Sequence, residues 1–238
     1  MLTRTIGRSL SWPLDRIASL LAPTGIPPNV ITWSALVANL FAAKFFAGGQ
    51  FAFAGGMMML AGLCDLLDGP VARKQGRVSL FGGFLDSILD RYADLILFLG
   101  LLVYYVGVNR FRYAVLAGAA MAGAVMVSYA KARAESLTPP REIGFWDRPE
   151  RLCLMILGAF TNRMEIALWI LAIGPNITVV HRIIDTWRQT RDADAQVRPA
   201  PGAPRVPAPA RSATRGENSS EMPTGQTAFS QTAGRTRG

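Results

Sequence analysis

Two pairs of aspartates stand out by residue type and spacing: Asp65 and Asp68, three apart, and Asp86 and Asp90, four apart. On an α-helix, residues three or four apart share a face. Two adjacent helices carrying these pairs would therefore aim four carboxylates at one spot. So much clustered negative charge calls for a multivalent cation. Hard oxygen donors with no histidine or cysteine nearby favour Mg²⁺ or Mn²⁺. Two such ions about 4 Å apart suit in-line phosphoryl transfer. The competing reading is that the acids simply pair with Arg73, Lys74, Arg77 and Arg91. For a lone aspartate that reading wins; for two facing pairs it gives no reason for the spacing.

The elements that must position these acids are apolar. Half of the chain is hydrophobic, only 17% is charged, and the mean hydropathy of +0.25 is high for a soluble domain. Long stretches carry almost no charge and short ones carry nearly all of it, the pattern of a multi-span membrane protein. Six apolar segments are expected, from about Asn29 to Phe46, Phe51 to Leu67, Gly83 to Val106, Tyr113 to Ala130, Leu152 to Thr161, and Ile166 to Ile184. The fifth is short, and becomes longer if it includes Pro149-Glu150-Arg151. Gly174-Pro175 predicts a kink in the sixth. Acids inside spans are costly and face a cavity, a partner or an ion.

Basic residues set the expected topology. They gather before the first span (Arg4, Arg8, Arg16), after the second (Arg73, Lys74, Arg77), after the fourth (Lys131, Arg133, Arg141, Arg148, Arg151) and after the sixth (Arg182, Arg188, Arg191). Both termini and the aspartate pairs are then cytoplasmic. The net charge of +9 is explained by anionic headgroups and phosphorylated substrates better than by nucleic acid. Ser11 to Leu21 reads as an amphipathic helix on the membrane surface, with Leu14, Ile17, Leu20 and Leu21 on one side. Trp12-Pro13 breaks any signal-peptide core. From Asp192 to Gly238 the composition turns to Pro, Ala, Ser, Thr, Gly and Arg, as in a disordered cytoplasmic tail, leaving residues 1–191 as the membrane domain. Cys64 and Cys153 lack a metal-ligand partner, and His181 stands alone.

The run Asp65-x2-Asp68-Gly69-x2-Ala72-Arg73-x8-Gly82-x3-Asp86-x3-Asp90 matches, at every fixed position, the signature of the CDP-alcohol phosphatidyltransferase family. The resemblance covers about Ser11 to Arg191. It implies an all-α integral membrane fold of six transmembrane helices preceded by a surface helix, and a homodimer. It further implies an enzyme that uses CDP-diacylglycerol, releases CMP, and holds two divalent ions, Mg²⁺ or Mn²⁺, on Asp65, Asp68, Asp86 and Asp90. Asp90 would also be the general base for the acceptor hydroxyl. Gly69, Arg73 and Ser79 would contact the donor, with Asn29, Val30, Ile31 and Thr32 at the polar start of the first span. On residue type alone, Asn29 and Thr32 are helix caps.

The segments Ser128-Tyr-Ala-Lys131-Ala-Arg133-Ala-Glu135 and Trp146-Asp-Arg148-Pro-Glu150-Arg151, with His181-Arg182, resemble the branch that makes phosphatidylinositol phosphate. Lys131, Arg182 and either Arg148 or Arg151 would then bind the acceptor's phosphate, since a dianion needs several cations. The same residues also serve as topology anchors, and glycerol phosphate is the competing anionic acceptor. From a different class, an ion-coupled transporter would place its acids near mid-membrane; here they lie at span ends beside Arg73, Lys74 and Arg77. The small residues Ala117-Gly118-Ala119-Ala120 and Ala122-Gly123-Ala124 permit close helix packing, within or between chains.

Overall fold

The computed structural model describes residues 13–137, 144 and 146–197, with side chains as far as Arg191. Ser11, Trp12, Arg141 and the segment from Arg198 onward lie outside these residues. The described part is all helical. A short helix, α1, covers residues 13–21 and runs into a 3-10 turn, Ala22–Thr24. Six longer helices follow: α2 (Pro28–Ala47), α3 (Phe51–Lys74), α4 (Leu80–Gly107), α5 (Phe111–Glu135), α6 (Arg148–Phe160) and α7 (Met164–Val197).

Four of them are long and apolar enough to cross a membrane: α2, α3, α5 and residues Met164–Arg191 of α7. The other two expected spans differ for separate reasons. Helix α4 has 28 residues, about 42 Å of rise, but its first half carries Asp86, Asp90, Arg91 and Asp94. Helix α6 does include Pro149-Glu150-Arg151, yet has only 13 residues, or about 20 Å against a hydrocarbon core of about 30 Å. Most large side chains on the outer faces are apolar, among them Trp33, Leu40, Phe53, Leu99, Phe111 and Ile177.

The helices pack in the order their short connections allow. α2 lies against α3 and α4, α4 against α5, α5 against α7, and α6 against α3 and α7. One core runs through the bundle, built on Phe46, Met58, Leu97, Phe98, Leu101, Met155, Leu168 and Leu171. Small residues bring the axes together. A Cβ on Gly100 would collide with the backbone of Ala43, so α2 and α4 can approach this closely only at a glycine. Ala117, Ala120 and Ala124 are buried within the chain, and Gly123 faces Pro175 and Asn176 of α7. The small-residue stripe of α5 is thus used inside the chain. Pro175 leaves α7 helical, and Asn176 Nδ2 donates to Ala172 O at 2.8 Å and to Ala119 O at 3.2 Å.

Helix α1 is clamped to the end of α3: Lys74 Nζ donates to Asp15 O (2.8 Å) and to Ser19 Oγ. Gln75 Nε2 reaches Ile26 O at 3.0 Å, and Arg77 reaches Gly25 O at 3.3 Å. On α1, Leu20 and Ile17 are exposed while Leu14 and Leu21 are half-buried. The basic residues after α3 therefore hold the segment before α2.

Candidate active site

Alternating helix direction brings the start of α2, the end of α3, the first half of α4, the end of α5, the start of α6 and the second half of α7 to one end of the bundle. The candidate metal, donor and acceptor residues all lie there. The opposite end is closed by the ion pair Arg110–Glu165 and by Phe51, Tyr104, Tyr105 and Tyr113 in mutual ring contact.

The four aspartates are brought to the same end of the bundle, on facing helices. Asp65 and Asp68 face inward from α3, Asp86 and Asp90 from α4, and Asp86 lies within electrostatic reach of the other three. The cation that pairs with them is not one of their sequence neighbours. Arg148, at the start of α6, places its Nη1 2.8 Å from both Asp65 Oδ2 and Asp90 Oδ1. Lys74 and Arg77 are spent on the N-terminal segment, and Arg91 donates to Ser87 O of its own helix. The neighbour-pairing alternative thus gives way to a long-range pair.

This arrangement bears directly on metal binding. Among the described residues no three acids are close enough together to share one ion, and a guanidinium stands between Asp65 and Asp90. The donor set itself, carboxylate oxygens facing one another across a gap that already holds a positive charge, fits a hard divalent ion. Arg148 is the stand-in cation, and an ion on Asp65 and Asp90 requires its side chain to move aside.

Asp68 is held from α2: the single hydroxyl proton of Thr32 lies between Asp68 Oδ2 at 3.0 Å and Pro28 O at 3.2 Å. The capping role suggested for Asn29 and Thr32 is not what they do. Helix α2 starts on Pro27-Pro28 with no side-chain cap; fixed proline φ angles begin the helix instead. Asn29 and Val30 are exposed, Ile31 is half-buried and Thr32 buried. Asn29 Oδ1 would lie 3.7 Å from a Cβ on Gly82, so the α2 start borders the α3–α4 turn. Ser79 caps α4, its Oγ accepting from Gly82 N at 2.9 Å. Arg73 is exposed, and a Cβ on Gly69 would sit 3.5 Å from its Nη1. The protein's own packing thus leaves room at Gly69.

Two residues with no role in the sequence reading hold the basic side of the site. Asp94, one turn beyond Asp90, is 5% exposed and pairs with Arg151 Nη2 at 2.5 Å and Arg148 Nε at 3.8 Å. Its signal was available, since Asp86, Asp90 and Asp94 form one i, i+4 row. Asp147 had no comparable signal. Its carboxylate accepts from Arg182 Nη2 at 2.8 Å and stands 3.5 Å from Lys131 Nζ. Arg151 is 1% exposed and also donates to Trp146 O at 3.1 Å; Arg182 donates to Val127 O at 3.1 Å.

Two cavities meet at Asp90, Arg148 and Pro149. One, of about 490 Å³, is polar and lined by Ser87, Asp94, Ser128, Lys131, Asp147 and Arg151 among others. The other, of about 650 Å³, is walled by Met58, Met59, Leu63, Leu66, Leu152 and Ile156 and reaches Asp65 and Asp86.

An apolar trough and a polar pocket joined at a carboxylate cluster define a membrane enzyme that brings a lipid and a water-soluble reactant together. Residues 26–180 match the CDP-alcohol phosphatidyltransferase family, and the chain belongs to it. It is an enzyme of phospholipid biosynthesis. Among its relatives, the archaetidylinositol phosphate synthase of Pyrococcus horikoshii is 34% identical over 73% of this chain and 90% of its own length. The phosphatidylinositol phosphate synthase of Streptomyces avermitilis is 34% identical over 76% and 81%. In structure the chain resembles the phosphatidylinositol phosphate synthase of Mycobacterium tuberculosis, solved with CDP-DAG bound (TM-score 0.67, 29% identity, 73% of this chain and 93% of that one). The same enzyme solved with manganese and citrate has a TM-score of 0.67, with 29% identity over 73% and 88%.

Proposed function

We propose that the chain transfers the phosphatidyl group of CDP-diacylglycerol to a hydroxyl of inositol phosphate and releases CMP. The observation that carries the acceptor is the pocket beside Asp90, lined by the cationic side chains of Arg91, Lys131, Arg148 and Arg151, with Arg182 of α7 directly behind Asp147. A phosphomonoester dianion suits them, whereas an uncharged alcohol such as inositol brings no charge to them. The names of the relatives support the same acceptor. The apolar trough supports a lipid donor, with its acyl chains along α3 and α6.

In this reading Asp65, Asp68, Asp86 and Asp90 hold two divalent ions, Mg²⁺ or Mn²⁺. Once bound, the ions supply positive charge against the donor diphosphate and polarise the phosphorus under attack. The chain's own groups do the rest. Asp90, at the junction of the cavities, takes the proton of the acceptor hydroxyl. Thr32 fixes the carboxylate of Asp68. Arg73 contacts the diphosphate, and Asn29, Val30, Ile31, Gly69 and Ser79 border the nucleotide. Lys131, Arg182 and Arg148 bind the acceptor phosphate, Arg148 after leaving Asp65 and Asp90. Arg151, buried against Asp94, serves as a strut and is the less suitable partner of the two.

The same reading completes the topology. Helices α4 and α6 join the four long apolar helices as spans, the shortness of α6 being met by local bilayer thinning and its flanking residues; α1 lies on the surface, and the site faces the cytoplasm with both termini. Residues 192–197 continue α7, and the rest of the expected tail lies outside the described residues. A homodimer would use lipid-facing surfaces other than the α5 stripe, and light scattering in detergent would test it. The function is tested with purified protein, CDP-diacylglycerol and Mg²⁺ against inositol phosphate, glycerol phosphate, inositol and serine. CMP release and labelled lipid with inositol phosphate first in rate are expected. Preference for glycerol phosphate would overturn the acceptor.

A further inference from the structure

We infer that Asp147 is a tethered placeholder for the acceptor's phosphate: its carboxylate occupies the anion seat between Lys131 and Arg182, and the incoming phosphate displaces it. This rests on the proposed acceptor chemistry and adds a residue to it.

Asp147 is the N-cap residue of α6, in extended backbone with φ −75° and ψ 177°. An aspartate there ordinarily turns its carboxylate onto the free N–H groups of its own first helical turn. Here it makes no such bond. The carboxylate reaches away from α6, to Arg182 on α7 at 2.8 Å and to Lys131 on α5 at 3.5 Å. It is 40% exposed on the polar cavity while Arg182 is 7% exposed. The buried cation stays put, and the carboxylate is the member free to move.

Both positions of the carboxylate are therefore satisfied ones. In the empty pocket it neutralises two cations from two helices. When a phosphate takes those cations, a rotation returns it to the end of α6, where the Glu150 N–H (Pro149 has none) and the helix dipole favour an anion. The swap replaces one carboxylate by a dianion with more acceptor oxygens, so a phosphomonoester can win where a weaker anion does not. The apparent affinity of every anion is lowered by the fraction of molecules in which the seat is taken. Ambient inorganic anions are thereby kept from filling the pocket.

The test is Asp147→Asn, which keeps a capping oxygen and removes the charge, alongside Asp147→Ser. Two quantities are read on purified full-length protein: the KM for inositol phosphate at saturating CDP-diacylglycerol, and the Kd of inorganic phosphate without donor. Both should fall roughly threefold or more in each variant. A KM that rises or holds, with the Kd of phosphate unimproved, would make Asp147 a fixed strut and overturn the inference. So would loss of folding in both variants, since a placeholder is dispensable to the fold. Should the unaltered protein not use inositol phosphate, the acceptor assignment fails instead; the phosphate Kd still decides the role of Asp147.

Discussion

Replacing Arg148 by glutamine separates two properties that usually fall together. In the unaltered protein one guanidinium nitrogen stands 2.8 Å from Asp65 and 2.8 Å from Asp90, with side chains 20%, 14% and 26% exposed. Screening is therefore modest, and a charge-assisted contact of this kind contributes about 1.5–3 kcal/mol. A divalent ion that takes these carboxylates must first displace the guanidinium. Since about 1.4 kcal/mol is tenfold in a binding constant, Arg148→Gln should tighten Mn²⁺ roughly tenfold or more. The two contacts share one nitrogen and do not add, which keeps the figure at the lower end. Titration of detergent-solubilised protein with Mn²⁺, following loss of the free-ion paramagnetic resonance signal, measures this without substrates. The same variant should raise the KM for the phosphorylated acceptor, because the pocket loses a cation. Unchanged or weaker Mn²⁺ binding would refute the stand-in role of Arg148 and the placement of an ion between Asp65 and Asp90.

Other outcomes follow from single contacts. Asp90→Asn should lower CMP release by about 10²-fold or more, as expected for a lost general base and metal ligand; turnover near normal would reassign the base. Arg151→Met should destabilise the protein by up to about 3–5 kcal/mol, because buried Asp94 is left with only the longer contact to Arg148 Nε at 3.8 Å. Arg151→Met with Asp94→Leu should recover much of that loss, read as the thermal midpoint in detergent. Lys131→Ala should raise the acceptor KM with little effect on the donor KM, and equal effects on both would remove Lys131 from the acceptor pocket. Gly100→Val should sharply reduce the yield of folded protein through collision of α4 with the backbone of Ala43, measured by size-exclusion chromatography.

Helical periodicity made the aspartate cluster readable, because the i, i+3 and i, i+4 spacings put each pair on one face whatever surrounds it. The long apolar runs made α2, α3, α5 and α7 readable in the same way. Depth in the bundle was not readable. Arg148 and Arg151 are three residues apart and identical in type, yet one is buried against Asp94 and the other lies at the junction of the two cavities. Asn29 and Thr32 looked like caps because their side chains cap well in isolation, but two prolines had already started the helix and Thr32 was left to bind Asp68.

The sequence by itself determined which carboxylates share a face, that the elements carrying them are apolar helices, and that cations gather at the same end. These follow from local geometry and composition, which every helix obeys. Only the tertiary structure decided which charge meets which: Arg148 with Asp65 and Asp90, Arg151 with Asp94, Asp147 with Arg182 and Lys131. An ion pair between helices depends on how closely and at what tilt they pack. That is set by distant contacts such as Gly100 on Ala43, which no local pattern of charges encodes.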